Sequence, residues 1–173
     1  DRRYSGHGSS VLGRETYLER LMGHLPEDSI VSGELYSYIS TASDTRGGIR
    51  STMLEGLSRF LRSNVLRGFI ANDDLHVNVL SAPAELYLSG DPMRMKQGGE
   101  MLEDLAYTLY AENKGDPFWI NSARSVFIAA AYALMECAQP EEINIASVQN
   151  LIMQGDRRYS GHGSSVLGRE TYL

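Results

Sequence analysis

Asp116 to Ala138 reads DPFWINSARSVFIAAAYALMECA, and this stretch decides the fold class. Asp is a good helix N-cap, and Pro is pre-set for the first helical position. No breaker follows until Pro140. From Val126 to Met135 every residue is apolar. A helix that is apolar all round must be surrounded by other elements. Ala129, Ala130, Ala131 and Ala133 would let neighbouring helices come close. The stretch therefore predicts a long, central, alanine-rich helix in an all-α domain. Spanning a bilayer needs about 20 apolar residues, so a run from Val126 to Met135 predicts no membrane contact.

Outward from this helix, the same spacing recurs. Met101, Leu102, Leu105, Ala106 and Leu109 predict a helix over Glu100–Glu112, closed by Asn113-Lys114-Gly115. On the other side, Asn144 can cap a short helix whose inner face is Ile145, Val148, Leu151 and Ile152, ending at Gly155. A helix over Arg14–Leu25 follows from Tyr17, Leu18, Leu21, Met22 and Leu25, and Pro26 stops it. Asp28 or Ser29 caps the next, which carries Ile30, Val31, Leu35, Tyr38 and Ile39, and Ser43-Asp44 breaks the pattern. A last long helix is expected from about Arg46 to Ile70. Ile49, Met53, Leu57, Phe60 and Leu61 form its apolar arc, with Ser51, Glu55, Arg59 and Arg62 facing the other way. The expected whole is a bundle of five to seven helices.

Asn72 to Pro92 breaks this rhythm. LHVNVL alternates weakly, as a short strand or extended strap would. SAPAELYLSGDP holds two prolines and a glycine, and reads as a linker or join.

The chain also repeats itself. DRRYSGHGSSVLGRETYL, Asp1 to Leu18, recurs letter for letter as Asp156 to Leu173 and nowhere between. Structural repeats drift in sequence and lie side by side, so an identical terminal pair is not a solenoid signature. It implies one all-α domain with a period of 155 residues, circularly permuted or tandem-fused. The expected natural order is about 76–155 followed by 1–75, with 156–173 duplicating 1–18. The glycine-rich SGHGSS is a tolerant place for such an opening.

Composition excludes several functions. Net charge is −6, a poor match to a broad nucleic-acid surface, which needs clustered Lys and Arg. The single cysteine, Cys137, rules out a disulfide within the chain. Its apolar neighbours predict a small buried side chain and, weakly, a reducing compartment. TRGGIRST is glycine-rich but lacks the lysine of a phosphate loop. No CxxC, HExxH or GxSxG occurs, and the histidines at 7, 24, 76 and 162 are dispersed. The residues predict no enzyme: no catalytic group, no metal and no cofactor.

The string KGDPFWINSARSVFIAAAYALM, Lys114 to Met135, resembles a segment of the type IV coupling proteins, the hexameric ATPases of bacterial conjugation and type IV secretion. The family's motif falls on Asp116, Pro117, Phe118, Trp119 and Arg124, with a small-residue step at Ala123 and an apolar run through Phe127, Ala130 and Ala131. The resemblance implies the all-α domain that is inserted between the two nucleotide-binding motifs of the motor. Such an insert has neither motif, and its natural termini lie close together. It further implies a cytoplasmic domain, with the parent protein at the cytoplasmic face of the bacterial inner membrane. The partners implied are relaxosome or effector proteins, and DNA.

Two functions follow as expectations. The leading one is recognition of protein or nucleoprotein cargo for transfer. The alternative is direct DNA binding, resting on Arg46, Arg50, Arg59, Arg62 and Arg67, with Arg2 and Arg3 beside them. Arg46, Arg50, Arg59 and Arg62 are thus the candidate cargo or DNA contacts. Asp116, Pro117, Phe118, Trp119 and Arg124 are expected to be mainly structural. Trp119 just after a helix start is expected to pack as a staple, and Arg124 to pair with an acid or point at the host motor.

Overall fold

A computed structural model describes residues 16–25, 29–62, 78–111 and 116–157, and every structural statement below concerns these. Seven α-helices form among them and no strand: α1 Tyr17–His24, α2 Ile30–Ser40, α3 Ser43–Leu61, α4 Ser81–Tyr87, α5 Pro92–Leu109, α6 Pro117–Cys137 and α7 Ile145–Gly155. A single 3-10 turn, Pro140–Glu142, separates α6 from α7. The all-α bundle expected from the sequence is what the chain forms.

α6 is the axle of the bundle. It packs against α2, α3, α5 and α7, and buries Ile120, Ala123, Val126, Phe127, Leu134 and Met135 together with four alanines. By length and composition it could cross a membrane, but most of that apolar window is buried inside the fold. Its hydrophobicity is consumed by the core, as an all-round apolar helix requires. The alanines let α2 and α3 approach, and α3 answers with glycine. A Cβ at Gly48 would stand 2.5 Å from Trp119 Cζ3, so the indole lies directly on the α3 backbone.

Local chemistry explains the helix starts. Thr16 and Glu19 form a reciprocal capping box at α1. Ser29 Oγ accepts from Val31 N–H at α2, Asp116 Oδ1 from Phe118 N–H at α6, and Asn144 Oδ1 from Ser147 N–H at α7.

Several expectations are corrected. The break between α2 and α3 falls at Thr41-Ala42, and Ser43-Asp44 open α3 instead of interrupting it. α3 starts earlier than Arg46, and its expected extension to Ile70 passes outside the described residues beyond Arg62. α5 begins at Pro92, two turns before Glu100, because Asp91 accepts from Met93 and Arg94 N–H and Pro92 takes the first position. SAPAELY is no loose linker: it is α4, and α4 with α5 forms the most closely paired helical hairpin of the fold. Pro83 is tolerated because it sits in the first turn, where its missing N–H is an orphan anyway. LHVNVL gives no strand in its described part. Asn78 Nδ2 donates to Ile143 O at 2.6 Å and Leu80 is fully buried, so Asn78–Leu80 is a pinned turn. The rest of the stretch expected to hold a join, residues 72–77, lies outside the described residues.

Gly155 belongs to α7 and does not cap it in the left-handed region. Its role is contact: an added Cβ would lie 2.5 Å from Leu18 Cγ, and Leu18 is fully buried. Beside it, Tyr17 N–H donates to Arg157 O at 3.2 Å. The end of α7 and the start of α1 are therefore held together. Residues 1–15, with the SGHGSS segment, and the terminal copy from 158 onward lie outside the described residues.

Candidate functional site

The four nominated arginines all come from α3 or its end, but the structure divides them into two pairs. Arg46 and Arg50 stand one turn apart and converge on Asp156, the C-cap of α7. Arg46 Nε lies 3.2 Å from Asp156 Oδ1, and Arg50 Nη1 lies 3.0 Å from Oδ2. Arg46 Nη1 also donates to Ile39 O at 2.6 Å, tying α3 to the end of α2. This pair is half-buried and engaged. Tyr38, next to Ile39 on α2, is 3 % exposed, and its hydroxyl has no hydrogen-bond partner among the described residues. Burial first, then the Asp156 charge, pushes the Tyr38 hydroxyl up to about 12. Arg46 and Arg50 partly offset that rise.

Arg59 and Arg62 form the second pair. With Glu55 and Ser58 they line a shallow depression of about 330 Å³. Arg59 Nη2 reaches Glu55 Oε1 at 2.6 Å across one turn, with both side chains largely exposed. Such a pair is worth a few tenths of a kcal/mol, roughly 0.3–0.5 for its i,i+4 spacing. Arg67 and the arginines at 2 and 3 lie outside the described residues.

The second nominated set gathers at the start of α6. Asp116 caps the helix, Pro117 opens it, and Phe118 remains half-exposed, edge-on to Trp119 at 5.1 Å between ring centroids. Trp119 is half-buried on Gly48. Arg124 is buried, 7 % exposed. Its Nε and Nη2 both donate to Tyr110 O, at 3.0 and 2.6 Å, and Nη1 donates to Asn121 Oδ1 at 3.1 Å. Its Cζ lies 4.2 Å from the centre of the Tyr107 ring. Neither expected partner, an acid or an outside domain, is what it meets among the described residues. Instead the guanidinium satisfies a carbonyl at the end of α5, where helix geometry leaves the last carbonyls without intrahelical donors. A guanidinium suits this because its planar fork gives two donors to one oxygen and a face to an aromatic ring.

A third cluster was not singled out from the sequence. Glu136, near the end of α6, accepts from Ser29 Oγ at 2.9 Å and from Tyr87 Oη at 3.0 Å. It joins the α2 cap and α4 to α6. The Tyr87 and Tyr132 rings stand 4.9 Å apart, tilted by 50°. Burial and then the bond to Glu136 push the Tyr87 hydroxyl up to about 12. The only sequence signal was a lone acid closing an apolar helix. Cys137, next to it, is exposed, against the expectation of a buried side chain. It occupies the last position of α6, past the face that packs. Partial burial and the Glu136 charge raise its pKa, which keeps it protonated and makes it a weak nucleophile.

One further concavity, about 470 Å³ and open, lies between α4, the start of α5 and the 3-10 turn. Ala84, Leu88, Pro140 and Ile143 form its apolar floor, and Glu85 and Arg94 face each other at its rim. No group of His, Cys, Asp and Glu that could hold a metal occurs among the described residues. Chemically these polar clusters are ties between helices: Arg46 and Arg50 join α3 to Asp156, Arg124 joins α6 to Tyr110 O, and Glu136 joins α6 to Ser29 and Tyr87.

No family model, curated protein or solved structure matches this chain.

Proposed function

We propose that this chain is the substrate-recognition all-α domain of a type IV secretion coupling protein, engaging relaxosome or effector proteins as cargo. The observation that carries the reading is the DPFW helix start with its Ala123-Arg124 step, Asp116 to Arg124. Around it the chain is all-helical, as an insert between the motor's nucleotide-binding motifs would be. The closeness of Arg157 to Tyr17 is in keeping with an order in which α1 follows α7. On this reading the fragment itself is not an enzyme, its parent is a hexameric ATPase at the cytoplasmic face of the bacterial inner membrane, and no bilayer contact comes from these helices.

The alternative, direct DNA binding, is narrowed by the arginine geometry. Arg46 and Arg50 are held by Asp156, which leaves Arg59 and Arg62 as the more accessible pair. Immobilised domain offered purified relaxase, relaxosome accessory protein and translocated effector separates the readings. Cargo recognition predicts retention of at least one of these at physiological salt. Retention of none, together with a salt-dependent shift of single-stranded or duplex DNA, would replace it with the DNA reading. The domain alone should show no ATP hydrolysis, and measurable turnover would overturn the assignment.

A further inference from the structure

The Arg46–Asp156–Arg50 cluster has the composition of an anion site whose occupant is part of the protein. Two guanidiniums on successive turns of α3 aim at one carboxylate, leaving a formal charge of +1. A carboxylate and a phosphate present similar oxygen spacings to arginine, so the two compete for the same fork. The carboxylate accounts for both arginines, whereas the hydroxyl of Tyr38, the buried residue next to the Ile39 that Arg46 holds, has no acceptor among the described residues. A tetrahedral oxyanion offers more acceptor oxygens than a carboxylate.

We propose that Arg46, Arg50 and the Tyr38 hydroxyl form a site for a phosphate group, closed in this structure by the carboxylate of Asp156 acting as an internal substitute. The site does not depend on the cargo reading. It lies at the C-terminal end of α7, where Asp156 is the helix C-cap. Arg46 also donates to Ile39 O, which holds its guanidinium in place. The phosphate group could belong to free inorganic phosphate or to a nucleic-acid backbone, and both are tested.

The test compares the wild-type chain with Asp156→Asn, which keeps the shape of the side chain and removes its charge. Isothermal titration with inorganic phosphate, at fixed ionic strength, is expected to show binding by Asp156→Asn on the order of tenfold tighter than by wild type. Adding Tyr38→Phe should cost part of that gain, and adding Arg50→Gln should abolish it. A single-stranded oligo-dT added to Asp156→Asn tells the sources apart. Gain for oligo-dT above gain for phosphate assigns a backbone ligand, and gain for phosphate alone assigns the free anion. Equal affinities of wild type and Asp156→Asn for both probes overturn the proposal, as does a gain indifferent to Tyr38→Phe and Arg50→Gln. Should Asp156→Asn fail to fold, Asp156→Ser takes its place in the same titrations, and equal phosphate affinity of Asp156→Ser and wild type overturns the site.

Discussion

The two ends of α6 are anchored by different chemistry. At the N-terminal end, Asp116 caps the helix, Trp119 lies on the α3 backbone at Gly48, and Arg124 is buried against Tyr110 O. At the C-terminal end, Tyr132, Glu136 and Cys137 are half-buried or exposed, and the ties to Ser29 and Tyr87 run through side-chain hydroxyls. Both ends join three helices. They differ in what happens when a tie is cut. At the buried end an unpaired group has no water to turn to, and at the half-wet end solvent takes over.

Cutting the buried tie should therefore cost most. Arg124→Ala is expected to lower stability by about 3 kcal/mol, since it removes both donors from Tyr110 O and leaves a gap beneath Tyr107. Chemical denaturation checks this. Arg124→Lys should restore only part, because one ammonium cannot reproduce the fork. A loss below about 1 kcal/mol for Arg124→Ala would mean that the carbonyl finds water there, and the contrast between the ends would fail.

Trp119→Ala comes next, at about 2–3 kcal/mol, less than for a fully buried ring because the indole is half-buried. Its readout is the melting temperature. Unchanged melting with lost cargo retention would make Trp119 a contact residue instead.

At the other end, Glu136→Ala should cost about 1–2 kcal/mol, as Ser29 and Tyr87 lose a charged acceptor but retain access to solvent.

Alkaline melting sharpens the same comparison. Tyr38 and Tyr87 keep their protons to about 12 in the folded chain, against 10.0 for an ordinary tyrosine. Their contribution is complete below pH 10 and is lost as pH rises toward 12, because unfolding then releases protons. Melting should fall over that window, and less steeply in Tyr38→Phe/Tyr87→Phe. Identical slopes would remove the raised hydroxyls from the account.

The smallest effect belongs to the exposed ion pair. Arg59→Gln should change stability by less than about 0.5 kcal/mol, measured in the same denaturant series.

Much of the fold was legible because it rests on periods and caps. The start of α6 at Asp116-Pro117 and of α7 at Asn144 could be read directly, since each cap is a contact between residues a few positions apart. α4 was not legible. Ser81–Tyr87 is seven residues with an internal proline, too short to be stable alone, and its helical form depends on packing against α5. The candidate site was legible only as a set of residue types. Arg46 and Arg50 share a face of α3 by periodicity. Their carboxylate comes from Asp156, more than a hundred positions away, and no local pattern announces it. Glu136 was missed for the same reason: its partners, Ser29 and Tyr87, belong to other helices.

By itself the sequence determined the fold class, the central place of α6 and most helix starts, because these follow from burial of apolar faces and from short-range hydrogen bonds. The DPFW resemblance and the repeated ends are also properties of the chain alone. Tertiary structure decided which charges are engaged. It drew Arg124 into the core against a carbonyl, locked Arg46 and Arg50 onto Asp156, and left Arg59 and Cys137 at the surface. The reason is range. Helix periodicity assigns a residue to a face, whereas the partner of a charged group is set by which helix that face is brought against.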